Sequence, residues 1–229
     1  MERQLPPKIL DPDASAGVDT HLRVAQLIDP PGDHYVIDAG AGHGSFTDRL
    51  VIGGYRAVAA EFKLGNFWCD RAPHVICDLD VCLPFASGTA DGVVAIEIIE
   101  HMERPLLLVR EAARCLRNQG WLVVTTPNIL HVASRLSYLA RGYPKGFSEN
   151  DYRSNGHISP VSLTELRRIG ERAGLAIEAV TYNVGRLPVP KIYGRVLLRS
   201  SRFRTGALGE SLIVLFRKIG DPITNVYRG

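Results

Sequence analysis

Apolar positions along this chain follow two alternating rhythms. Short runs in which most residues are apolar occur at Tyr35–Asp38, Ala57–Glu61, His74–Cys77, Gly92–Glu97 and Trp121–Thr126. Such runs predict strands buried on both faces. Around them the apolar positions take helical spacing. "GVDTHLRVAQLID" (17–29) places Val18, Leu22, Ala25 and Leu27–Ile28 on one side and ends before Pro30 and Pro31, which predicts a helix stopped by proline. "RPLLLVREAARCLRNQG" predicts a second helix, with Gly120 as its C-cap. Strands alternating with helices predict an α/β fold with a parallel sheet covered on both faces.

After the fifth strand the rhythm changes. "NILHVASRLSYLARG" reads as an amphipathic helix, and "YPKGFSENDYRSNGHISP" follows without periodicity. Long irregular connections are often lids or binding loops, so residues 143–160 are expected to cover a substrate. "SLTELRRIGERAG" restarts a helix, with Ser162 and Glu165 as a capping box and Gly174 closing it. Two further strands are expected at 176–182 and 211–218.

A length of 229 residues fits one domain over 17–229, preceded by a Pro- and Asp-rich arm at 1–16. The net charge of +3 is too small to indicate nucleic acid. Cys69, Cys77, Cys82 and Cys115 form no CxxC pair and no zinc-type spacing. No run approaches the ~20 apolar residues of a membrane span, and "MERQLPPKILDPD" lacks the apolar core of a signal peptide. A cytoplasmic location is the expectation.

The chemistry starts at "VIDAGAGHGSF" (36–46), where glycines follow a strand-like run at Gly40, Gly42 and Gly44. The dinucleotide fingerprint G-x-G-x-x-G fits the first two, but Ser45 takes the third place and the extra glycine comes one residue early. A P-loop lysine is absent. Asp38 at the end of strand one repels a pyrophosphate, yet suits an ammonium or an ordered water. Glu61 ends strand two, where a carboxylate can bind both hydroxyls of a ribose. Asp78, beside the Leu79 backbone N–H, can read an adenine edge. A ligand with an adenine, a ribose diol and an amino-acid cation, but no phosphate, satisfies all three: S-adenosylmethionine.

These stretches also resemble a known family, the class I S-adenosylmethionine-dependent methyltransferases, particularly their small-molecule branch. The resemblance runs through "VIDAGAGHG", Glu61, "CDLDVCLPFASGTADGVVAIEIIEHM", "REAARCLRNQGWLVVTTPN" and "HISPVSLTEL". Asn118–Gln119 departs from the family's usual turn, at a point remote from the cofactor. The resemblance implies a Rossmann-like three-layer sandwich whose seven-stranded sheet is mostly parallel with an antiparallel last strand. It places the cofactor contacts on Asp38, Gly40, Gly42, Glu61, Phe62, Asp78, Leu79 and Glu97.

Methyl transfer to a hydroxyl calls for a base. His101, opening the helix after strand four, and His157, just past the suspected lid, are the candidates. His131, Asp151 and Tyr152 are further polar groups near the expected cleft. No carboxylate cluster for a metal can be assembled from the sequence, so none is expected. The motif that holds an extruded base in DNA amino-methyltransferases is missing; "EIIEHM" stands in its place. The expected acceptor is an oxygen or nitrogen of a small metabolite, a glycan precursor or a lipid-like molecule. Residues 186–206 carry Arg186, Lys191, Arg195, Arg199, Arg202 and Arg204 and no acid. They predict a helix on the sheet with solvated arginines, or alternatively a peripheral membrane contact. The rival readings are an NAD-dependent oxidoreductase, a nucleotide-sugar enzyme and a non-catalytic cofactor-binding protein.

Overall fold

The computed structural model describes residues 18–63, 67–183 and 206–222. Seven strands form one sheet: β1 Tyr35–Ala39, β2 Arg56–Glu61, β3 His74–Ile76, β4 Ala90–Ala95, β5 Leu116–Pro127, β6 Leu175–Tyr182 and β7 Ser211–Lys218. Their order is β3-β2-β1-β4-β5-β7-β6. The pairs from β3 through β5 are parallel, and β7 runs antiparallel to both its neighbours. The expected seven-stranded topology with an antiparallel last strand is therefore observed.

Strand alternation divides the core into two layers. Ile37, Val93, Leu122 and Val124 point to one face, beneath α3 (Pro105–Cys115) and α6 (Leu163–Arg172). Val36, Val94, Trp121 and Val123 point to the other, beneath α1 (Val18–Leu27) and α2 (Ser45–Ile52). All eight are buried. Burial on both faces explains why these strands read as continuous apolar runs.

Two helix expectations need correction. The helix after strand four ends at Cys115, not at Gly120. Leu116 is fully buried and pairs with Ala90 as a strand residue, so the core claims it for β5. The left-handed turn position is Gln119, with φ 63°. Gly120 lies close to the carbonyls of Arg117 and Asp91, where an added Cβ would sit 2.9 and 3.1 Å from their oxygens. The second correction concerns 143–160, which holds a short helix, α5 (Glu149–Asn155). It follows α4 (Val132–Arg141) and starts with a capping box between Ser148 and Asp151. None of its residues is buried, so it leaves no apolar period to detect.

The capping box at Ser162–Glu165 is present as expected. Among the described residues all four cysteines are free thiols, and burial pushes Cys77 and Cys115 up to about 11. Among the described residues no helix is long and apolar enough to cross a membrane. The arm at 1–16 lies outside the described residues, as does the basic segment 186–206 apart from Gly206.

Candidate active site

The sheet order reverses between β1 and β4, and open α/β sheets bind ligands at the carboxyl ends of strands flanking such a reversal. Here β1 ends in Asp38 and Ala39, and the chain turns at Gly40 with φ 80°. A Cβ at Gly40 would come within 2.5 Å of the Ile98 side chain. Only glycine fits that approach. Gly44 (φ 89°) precedes α2 and packs on Phe67 and Cys69, at 2.8 and 2.9 Å from where its Cβ would stand. It does the close-packing work of the missing third fingerprint glycine.

Two carboxylates frame this loop. Glu61 accepts the Gly42 N–H at 2.8 Å with one oxygen and the Phe62 N–H at 2.8 Å with the other. Asp38 is buried and accepts the Thr47 hydroxyl at 2.6 Å. Burial pushes its carboxyl up to about 7; the Thr47 hydrogen bond opposes that rise, while the charge of Glu61 adds to it. Both line a cavity of about 180 Å³ with Gly40, Gly42, Glu97 and His101. Six of the sequence-predicted residues therefore meet in one place.

Phe62, Asp78 and Leu79 do not line that cavity. Phe62 stands beside Glu61 with 57% of its surface exposed. Asp78 is exposed and accepts the Asp80 N–H at 2.9 Å, whereas Leu79 is buried in the core. Asp80 and Asp91 turn out to secure chain geometry. Asp80 accepts the N–H groups of Glu103 and Arg104 before α3, and Asp91 accepts that of Tyr35.

Past β4 the backbone is unusual. Glu97 is a non-glycine residue at φ 47°, a conformation that persists only where its surroundings hold it. Thr125 supplies the hold: it accepts the Glu97 N–H at 2.9 Å and donates to the Glu97 carboxyl at 2.8 Å. The next turn, Ile99–His101, presents Glu100 inward and His101 to the cavity. The Glu100 carbonyl accepts the N–H groups of Ile158 and Ser159, both at 2.9 Å. Those bonds bring His157 onto His101, with ring centroids 4.8 Å apart and nearly perpendicular planes. Burial and the neighbouring His157 push His101 below its ordinary value.

Glu97 also lines a second cavity of about 190 Å³ with His131, Lys145 and Gly146. His131 faces this cavity; its Nδ1 accepts the Ala133 N–H at 3.0 Å, and its Nε2 is buried without a partner. Lys145 and Gly146 also border a larger groove of about 590 Å³ between α4 and the 143–151 segment. Leu136, Ala140 and Tyr143 give that groove an apolar side.

The family model described as a methyltransferase domain matches residues 13–180. The chain belongs to the class I S-adenosylmethionine-dependent methyltransferases. The oxidoreductase and nucleotide-sugar alternatives fall with that membership. Demethylmenaquinone methyltransferase of Corynebacterium urealyticum is 34% identical to this chain over 120 residues, 50% of this chain and 52% of that protein. A ubiquinone biosynthesis O-methyltransferase of Chromobacterium violaceum is 23% identical over 175 residues, covering 69% of this chain and 71% of its own. The chain spans about a third to a half of the length of the first curated relatives it matches. A methyltransferase structure from Archaeoglobus fulgidus superposes with TM-score 0.65 at 17% identity, over 87% of this chain and 93% of the other. The [4+2]-cyclase SpnF superposes with TM-score 0.60 at 16% identity, over 89% and 82%. These likenesses establish the fold.

Sequence reasoning missed Thr47, Thr125 and Glu100 in this methyltransferase. The threonines carry no signal of their own, because their role appears only when β5 and α2 meet the strand ends. Glu100 had a signal: an acid inside the apolar stretch "AIEIIEHM", three residues after Glu97.

Proposed function

We propose that this methyltransferase transfers a methyl group to a hydroxyl oxygen of a small acceptor with an apolar portion. The observation that carries the reading is the His101–His157 pair. His101 lines the first cavity, and His157 donates Nδ1–H at 2.7 Å to the carbonyl of Gly146, which lines the second. The depressed pKa of His101 keeps its ring neutral near pH 7, as a proton acceptor must be. An amine acceptor would arrive neutral and need no such group.

The residues fit S-adenosylmethionine. Glu61 Oε2 accepts one backbone N–H and retains a lone pair for a ribose hydroxyl, while Oε1 accepts the N–H of Phe62 at 2.8 Å and, at 3.5 Å, that of Lys63. Phe62 offers an exposed aromatic face beside it that an adenine would cover. Asp38 and the turn at Gly40 suit the amino-acid end. When bound, the cofactor supplies an electrophilic methyl on a sulfonium. His101 takes the hydroxyl proton as the oxygen–methyl bond forms and the sulfur–methyl bond breaks. Residues 143–160 exclude water and hold the acceptor in line, which is most of what such a displacement requires. The groove along α4 accommodates the apolar portion of the acceptor. Relatives named as ubiquinone biosynthesis O-methyltransferases support the oxygen assignment.

The test is a transfer assay with methyl-labelled S-adenosylmethionine and a panel of phenols, catechols, alkyl alcohols and amines. Label in phenols or alcohols, reduced in His101→Ala, is the expected result. Label confined to amines, with His101→Ala unimpaired, would overturn the reading.

A further inference from the structure

Three side chains converge at the inner end of the His101–His157 pair. Glu100, His101 and His157 each offer a ligand atom, and these atoms all lie within 4.8 Å of one another. The Glu97 carboxyl lies beside that of Glu100, close enough for its charge to act on it. Glu100 is only 1% exposed, and its carboxyl oxygens, with Glu97 and Thr126 as neighbours, complete no well-formed hydrogen bond. A buried carboxyl left without partners is costly and calls for an explanation.

The imidazoles carry a second, independent sign. His157 Nδ1 donates to the Gly146 carbonyl at 2.7 Å, so its Nε2 is left as the free lone pair. The backbone of Gly156 and Asn155 hydrogen-bonds the His101 ring in the same manner. Fixing one ring nitrogen on a backbone carbonyl is the arrangement that orients metal-ligating histidines.

We propose that Glu100, His101 and His157 bind a divalent transition-metal ion, with Glu97 completing the charge balance beside it. Two imidazole nitrogens and a carboxylate favour zinc, manganese, iron or cobalt over calcium, which prefers oxygen ligands throughout. The ion supplies the partner that the Glu100 oxygens lack and relieves the repulsion between the two acids. Its role in turnover rests on the hydroxyl reading above. The ion would lower the pKa of the acceptor hydroxyl, as bound metals do for water. In the metal-loaded protein it would take the activating role that His101 has in the ion-free one, the hydroxyl proton passing to solvent. The sequence hid this site because His157 approaches only through the fold of residues 143–160.

The test uses the full chain after dialysis against a chelator, titrated with cobalt(II) or manganese(II) alone and followed by calorimetry and by the visible bands of cobalt. One ion per chain is expected. His157→Ala, with circular dichroism checking the fold, should weaken binding by roughly tenfold or more. It should leave the affinity for S-adenosylhomocysteine unchanged. Glu100→Gln should act in the same direction, with circular dichroism checking the fold; if it does not fold, His157→Ala decides alone. Absence of saturable binding, or binding that His157→Ala does not alter, overturns the proposal. The two readings fail separately. Ion binding with label only on amines removes the hydroxyl reading and leaves the site, whereas undiminished phenol methylation with no ion bound removes the site alone.

Discussion

Asp38 and Glu61 were legible as residues only together, because carboxylates at the carboxyl ends of successive strands fall where open α/β sheets bind ligands. Their partners were not legible. Thr47 reaches Asp38 only across the β1–α2 turn, and the Gly42 N–H meets Glu61 only because β1 pairs with β2 in register, Asp38 opposite Ala59. That second contact sharpens one prediction. Glu61→Ala removes the charge-assisted bond that ties the glycine loop to β2 through Gly42 as well as the acceptors for a ribose diol. Each such bond is worth about 1.5–3 kcal/mol, so cofactor affinity should fall by roughly tenfold or more. Calorimetry with S-adenosylhomocysteine measures it; a loss under about threefold with an intact fold would reduce Glu61 to a surface carboxylate. Asp38 makes a pH prediction. Its carboxyl is held at about 7 in the folded chain, against 3.8 when unfolded. Between those values the unfolded chain ionises while the folded one keeps its proton. Its contribution to stability therefore declines as pH rises from about 4 to about 7 and is level above that. Asp38→Asn should flatten this slope in a series of melting temperatures, and a parallel slope in both proteins would contradict the assignment.

At the scale of elements, legibility followed burial. Strands enclosed on both faces announced themselves as apolar runs, and α6 announced its start through Ser162 and Glu165. The end of α3 was misread because Gly120 resembles a cap, while the core takes Leu116 into β5 before the helix can reach it. Helix α5 left no apolar trace, since all its residues are outside the core. Its segment is nevertheless placed for work. Lys145 and Gly146 wall the second cavity, and Gly146 fixes the His157 ring. Replacing Pro144–Asn150 with a short Gly-Ser link should leave S-adenosylhomocysteine binding little changed. Methyl transfer should drop on the order of a hundredfold, the scale of a misaligned acceptor. Hydrogen exchange across Glu149–Asn155 should slow only when S-adenosylhomocysteine and acceptor are both present. Undiminished transfer after the replacement would mean that 143–160 is a connection and no lid.

The whole molecule shows why fold and cofactor were easier to read than reaction. Reversal of strand order between β1 and β4 gathers the ends of β1, β2 and β4 at one crevice, so residues far apart in sequence share one cavity. That gathering is a property of topology, and the resemblance carried it. The proposed acceptor chemistry depends on how 143–160 returns to the turn at Glu100, a tertiary contact with no local signature. The superposition on a [4+2]-cyclase makes the same point, because one scaffold hosts different reactions. Cofactor choice, by contrast, is testable on the intact protein. An NAD pyrophosphate would have to settle between Asp38 and Glu61, with Ser45 where the fingerprint needs glycine. An adenosyl ligand with a cationic tail meets complementary charge in the same crevice. At about a hundred times its dissociation constant, a ligand specific to the folded state adds about 2.7 kcal/mol, or about 5–10 °C in melting temperature for a domain of this size. S-adenosylmethionine and S-adenosylhomocysteine should produce that shift, and NAD at equal concentration should produce none. Glu61→Ala should reduce the shift, tying it to the crevice and not to a second surface. An NAD shift equal to or above that of S-adenosylhomocysteine would refute the assignment of the glycine loop, whatever the fold it sits in.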